Sequence, residues 1–198
     1  MNKELSAPLV SLTTPSAAST WLRSAGIVLA GSALVAICSH VSLPLWFTPV
    51  PLTMQPFAVL LIGLLLAPRL AGATLATYLV EGAMGLPVFA PGFGFGNGMV
   101  HLFGLTGGYL LSYPAAALLI SYLWRRSSRN FSTAVASAAV GNLFILSCGF
   151  LWMSAYLHAS TWTVLSLAVL PFLPGDALKV VAAATIAAGL HRARRHKA

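Results

Sequence analysis

The stretch Phe172-Leu173-Pro174-Gly175-Asp176-Ala177-Leu178-Lys179 sets a carboxylate and an ammonium one helical turn apart. It lies near the start of a segment, Leu170 to Leu190, that is otherwise apolar enough to cross a membrane. Side chains at i and i+3 are neighbours on a helix, so Asp176 and Lys179 can partner each other or share a ligand. Charges at that depth are expensive in hydrocarbon and mark a functional site by default. The alternative is a buried ion pair that only fixes helix packing. The residues alone leave both open.

Working outward, the chain of 198 residues has 58% hydrophobic and 7% charged content and a mean hydropathy of +0.87, far from the averages of soluble domains. It reads as an all-α, polytopic membrane protein. Six spans are predicted: Ser24 to Leu43, Leu52 to Ala67, Leu70 to Leu86, Leu105 to Trp124, Ser132 to Tyr156 and Leu170 to Leu190. The second is the shortest, lies between Pro51 and Pro68, and scarcely crosses ~30 Å of hydrocarbon. It is expected to be broken or shielded by its neighbours. Residues 1–23 read as a loose cytoplasmic tail, not a cleaved signal peptide, 24–190 as one transmembrane domain, and 191–198 as a basic cytoplasmic tail.

The net charge of +8 is distributed by topology. Lys3, Arg23, Arg69, Arg125, Arg126, Arg129, Arg192, Arg194, Arg195 and Lys197 fall at the ends of alternate spans, which the positive-inside rule assigns to the cytoplasm. The regions around His40 to Gln55, Pro87 to Phe103 and Leu157 to Ser166 contain no Lys or Arg. Both termini are therefore expected in the cytoplasm. No stacking or groove-reading residues accompany the basic positions, so nucleic acid is not an expected partner.

Polar groups recur at one depth. At ~1.5 Å per residue, Glu81 lies about 18 Å and Asn142 about 16 Å from the inner edges of their spans, with Asp176 and Lys179 about 8 and 12 Å from the outer edge. Gln55 at the mouth of the second span and Tyr78, one turn before Glu81, join the same band. Such a band suggests an externally open pocket in the outer half of the bundle. Asn142 serves equally as a ligand contact or as glue between helices. Tyr78 reads first as a packed aromatic whose hydroxyl is satisfied. Gly26 and Ala30, and again Ser32 and Ala36, bring small residues to four-residue spacing for close approach of a helix in this chain or in a partner.

Enzyme chemistry finds no support. The run Gly92-Phe93-Gly94-Phe95-Gly96-Asn97-Gly98 does not complete a dinucleotide fingerprint, and no P-loop motif occurs, so no cofactor and no ATP hydrolysis are expected. The five histidines lack metal-ligand spacing, and Cys38 and Cys148 read as small packing residues.

Three stretches resemble the BioY family, the biotin-specific S components of energy-coupling factor transporters. They are Val50-Pro51-Leu52-Thr53-Met54-Gln55-Pro56-Phe57, Tyr78-Leu79-Val80-Glu81-Gly82-Ala83-Met84-Gly85-Leu86-Pro87-Val88-Phe89 and Leu105-Thr106-Gly107-Gly108-Tyr109-Leu110. The pattern Pro174-Gly175-Asp176-x-x-Lys179 is similar to the family's sixth helix. The resemblance implies a multi-pass protein of a prokaryotic cell membrane that carries biotin inward. It also implies a transmembrane coupling protein and ATPase subunits as partners, with a homo-oligomer as the alternative. Asp176 would accept from the ureido N–H groups of biotin, and Lys179 would meet the ureido oxygen or the carboxylate. Phe89, Phe93 and Phe95 would close or seal the external loop. An S component for another small vitamin, or a non-transporting membrane subunit, fits the same residues.

Overall fold

The computed structural model describes residues 17–91 and 98–195. Phe93 and Phe95, and most of the N-terminal tail, lie outside the described residues. The described chain is mostly helical: α1 (Ala17–His40), α2 (Gln55–Leu65), α3 (Pro68–Ala83), α4 (Met99–Leu102), α5 (Gly107–Arg126), α6 (Phe131–Leu157), α7 (Thr161–Ala168) and α8 (Leu173–Arg195). Three of these, α1, α6 and α8, are long and apolar enough to cross a membrane by length and composition.

Local chemistry sets several boundaries. Proline occupies the first turn of α2 and α3, where its missing N–H costs nothing. Asn130 opens α6 with a capping box, accepting from the Thr133 N–H while Thr133 Oγ1 accepts from the Asn130 N–H. Asp176 lies in the first turn of α8, where a carboxylate is favoured by the helix dipole.

Two features depart from the all-helical expectation. Ser42–Leu43 (β1) and Leu52–Thr53 (β2) pair antiparallel, Ser42 opposite Thr53 and Leu43 opposite Leu52. The hairpin takes residues from both expected spans, so α1 stops at His40 and α2 shortens to 11 residues. A further helix, α7, forms where only an external connection was expected. Ser160 caps it by accepting from the Thr163 N–H.

The short α2 is shielded: Ala58, Val59, Leu60, Ile62, Gly63 and Leu64 are all buried. Around it the core divides in two. One cluster, including Val35, Val59, Leu75, Tyr78, Tyr113, Ile145 and Phe172, surrounds the half nearer the hairpin. The other, including Leu60, Leu64, Ile120, Trp124, Ala138 and Ala184, fills the half nearer the arginines. The outer faces are apolar: Leu29, Val80, Leu143, Leu151 and Leu178 are exposed, a surface suited to lipid and not to water. Of the small-residue pairs in α1, Ser32 and Ala36 pack inward, whereas Gly26 and Ala30 face outward, with open space beside Gly26.

Candidate functional site

A cavity opens in the hairpin half between α2, α5, α6 and α8. Its empty space, open mouth included, is about 640 Å³. Gln55, Thr106, Asp176 and Lys179 supply its polar wall, and Val50, Leu110, Ile145, Leu146 and Phe172 its apolar one.

Asp176 and Lys179 are only 4% and 7% exposed, and the Lys179 Nζ donates to Asp176 Oδ1 at 2.9 Å. The Asn142 Nδ2 of α6 donates to the other carboxylate oxygen at 3.1 Å. Each carboxylate oxygen keeps a further acceptor position, and an ammonium has three donors. The pair thus fixes its own geometry and still presents charge to the cavity. Asn142 stands behind it, with its buried Oδ1 unpartnered in the protein.

Gln55 is held at the cavity by two neighbours. Its Oε1 accepts from Thr53 Oγ1 at 3.2 Å and its Nε2 donates to the Tyr78 hydroxyl at 2.5 Å. Tyr78 is fully buried and donates to the Val88 carbonyl at 3.0 Å, which also accepts from Ser39 Oγ at 2.7 Å. Tyr78 therefore does not line the cavity but ties Gln55 to the segment after α3. That segment also carries Phe89, whose buried ring meets Tyr78 edge-on at 5.5 Å and stacks on His101 at 5.0 Å. Phe89 stands behind the wall, and its neighbour Ala90 is the residue that reaches it.

Glu81 is placed elsewhere. Its carboxylate accepts from Ser32 Oγ across the α1–α3 interface and takes no part in the cavity lining. Of the residues singled out by depth, Gln55, Asp176 and Lys179 meet at the cavity, Asn142 and Tyr78 orient them, and Glu81 belongs to another contact.

Several lining residues escaped the count of charged and amide groups. Tyr109 and Tyr113, which that count passed over, reach the cavity from α5. The Tyr109 hydroxyl donates to the Ala168 carbonyl at 2.6 Å and anchors α7. Thr106 precedes α5 without capping it, and its buried Oγ1 has no partner in the protein. The Leu105-Thr106-Gly107-Gly108-Tyr109 stretch was the available signal, since Gly107 and Gly108 let α5 approach Trp152 too closely for any Cβ.

The same bundle occurs in a solved S-component for biotin from an ECF-type ABC transporter, with a TM-score of 0.80 over 90% of this chain and 95% of that one, at 23% identity. The fold is thus shared with that S-component. The BioY family model matches residues 6–196. The chain is 35% identical to the biotin transporter BioY of Thermotoga maritima, covering 81% of this chain and 91% of that protein. It is 30% identical to the biotin transporter BioY2 of Lactococcus lactis, covering 89% and 94%. The chain belongs to the BioY family.

Proposed function

We propose that this protein takes up biotin, binding it in the Asp176–Lys179 cavity and delivering it across the membrane. The observation that carries this reading is a buried, mutually fixed ion pair facing an apolar cavity in a BioY chain. Biotin has two ureido N–H donors, one carbonyl acceptor, an apolar thiophane ring and a carboxylate tail. Asp176 offers acceptors, Lys179 offers donors, and Leu110, Ile145, Leu146 and Phe172 offer an apolar bed for the ring. Thr106 Oγ1 and Gln55 add neutral polar contacts.

In this reading the chain crosses the membrane six times through α1, α2, α3, α5, α6 and α8, with both termini in the cytoplasm and the hairpin outside. Phe89, behind the wall, holds its neighbour Ala90 at the cavity. A coupling protein with ATPase subunits supplies the energy, and the outward Gly26 and Ala30 give it a face for close helix contact.

The test is biotin binding by purified Asp176→Asn and Lys179→Ala in detergent. A hydrogen bond to a charged group contributes about 1.5–3 kcal/mol, so each variant is expected to lose roughly ten- to a hundredfold in affinity. Wild-type affinity in both would remove this site. Competition by a panel of other vitamins, each failing to displace labelled biotin, checks the substrate; displacement by another vitamin would reassign it.

A further inference from the structure

A second cavity lies at the opposite end of the bundle, lined by Trp124, Arg125, Arg129, His191 and Arg194, with aliphatic side chains of α2 and α8 as its floor. Two segments feed it cations: the end of α5 with the turn that follows, and the last turns of α8. Orientation in a membrane needs basic residues near the span ends but does not need them to converge on one cavity.

The convergence is uncompensated among the described residues. Their two carboxylates are engaged elsewhere, Glu81 with Ser32 and Asp176 with Lys179 and Asn142. Arg125 spends its Nε on the Leu66 carbonyl and Ser121 Oγ, both at 3.4 Å, so it is held at the cavity by neutral groups. Arg129 enters with a φ of 52°, a left-handed conformation that a non-glycine residue adopts only at a cost. His191 sits edge-on to the Trp124 ring at 6.2 Å, and its buried Nε2 has no hydrogen-bond partner in the protein. Like charges and an unpartnered imidazole nitrogen are thus held together around an empty polar space.

We propose that this cavity is a binding site for a phosphate-type anion, with Arg125, Arg129 and Arg194 as charge partners and His191 Nε2 as a hydrogen-bond donor. Guanidinium groups match phosphate oxygens in forked geometry. The anion comes either from the headgroup of an anionic phospholipid or from free phosphate, and the two sources share this chemistry.

The full-length protein in neutral detergent tests it by thermal unfolding. Phosphatidylglycerol is compared with phosphatidylcholine of the same acyl chains, and sodium phosphate with sodium chloride at equal ionic strength. Wild type should gain several degrees with phosphatidylglycerol, phosphate or both. Arg129→Gln/Arg194→Gln should lose most of that gain, whereas Arg69→Gln/Arg126→Gln, which removes two charges outside the cavity, should keep it. A gain with phosphatidylglycerol alone assigns the headgroup; a gain with phosphate as well assigns the free anion. No gain over the neutral controls, or equal loss in both double variants, overturns the site. Should Arg129→Gln/Arg194→Gln fail to fold, native mass spectrometry of the wild type decides, and equal retention of the two lipids together with no retained phosphate overturns it.

Discussion

Asp176 is held from two sides, by Lys179 within its own helix and by Asn142 from α6. Holding a buried carboxylate in this way lowers the cost of presenting it to a ligand, because its geometry is set before binding. Thr106 is the converse case. An N-cap threonine ordinarily accepts from a backbone N–H of the first turn, yet Thr106 Oγ1 is buried without a partner beside the cavity. A buried unpaired hydroxyl costs about 1–3 kcal/mol. Thr106→Val is therefore expected to raise the melting temperature of the ligand-free protein while weakening biotin binding by about tenfold. Calorimetry and ligand titration on the same sample check both signs. Unchanged affinity would exclude Thr106 from the site. At this scale Asp176 and Lys179 were legible in sequence because i,i+3 spacing on a helix needs no tertiary information. Glu81 was not, since depth along a helix says nothing of the direction in which a side chain points.

At the scale of elements, the wall behind the site depends on how closely Phe89 packs on α3. A Cβ at Gly82 would run into the Phe89 ring, which Tyr78 and His101 hold from other sides. Overpacking of this kind costs typically 1–3 kcal/mol, about the cost expected for Gly82→Ala. Its biotin affinity should fall with stability, because Ala90 follows Phe89 into the cavity wall. Adding Phe89→Leu should recover part of both, measured by melting temperature and titration. No change in Gly82→Ala alone would show that the ring is free to move. Among the elements, α5 and α6 lay within about two residues of their expected ends, since long apolar runs with basic or capped termini are self-delimiting. The hairpin was not legible: Ser42–Leu43 and Leu52–Thr53 are two-residue strands with no alternation of their own, and only their pairing defines them. α7 was too short to stand out, and it is secured by contacts such as Tyr109 to Ala168 and, just before its end, Thr48 to the Leu167 carbonyl.

For the whole molecule, one end bears the arginines and their anion-ready cavity, and the other bears the hairpin and the Asp176 cavity. The proposed orientation places the basic end in the cytoplasm, as the positive-inside rule requires. In a background with Cys38→Ala and Cys148→Ala, a membrane-impermeant maleimide added to intact cells should label Ala159→Cys and should reach Ser128→Cys only after permeabilisation. Both positions are exposed. The reverse pattern would invert the protein and with it the direction of uptake.

Composition, charge placement and the Asp176–Lys179 spacing determined by themselves that this is a membrane helix bundle with a buried charged pair, because hydropathy and helical periodicity act within one segment. Which side chains meet the pair was decided only by the tertiary structure. Helix rotation turned Glu81 toward Ser32, the close α5–α6 approach brought Tyr109 and Thr106 to the cavity, and Tyr78 linked Gln55 to Val88. Those choices depend on packing between helices distant in sequence, which no single segment encodes.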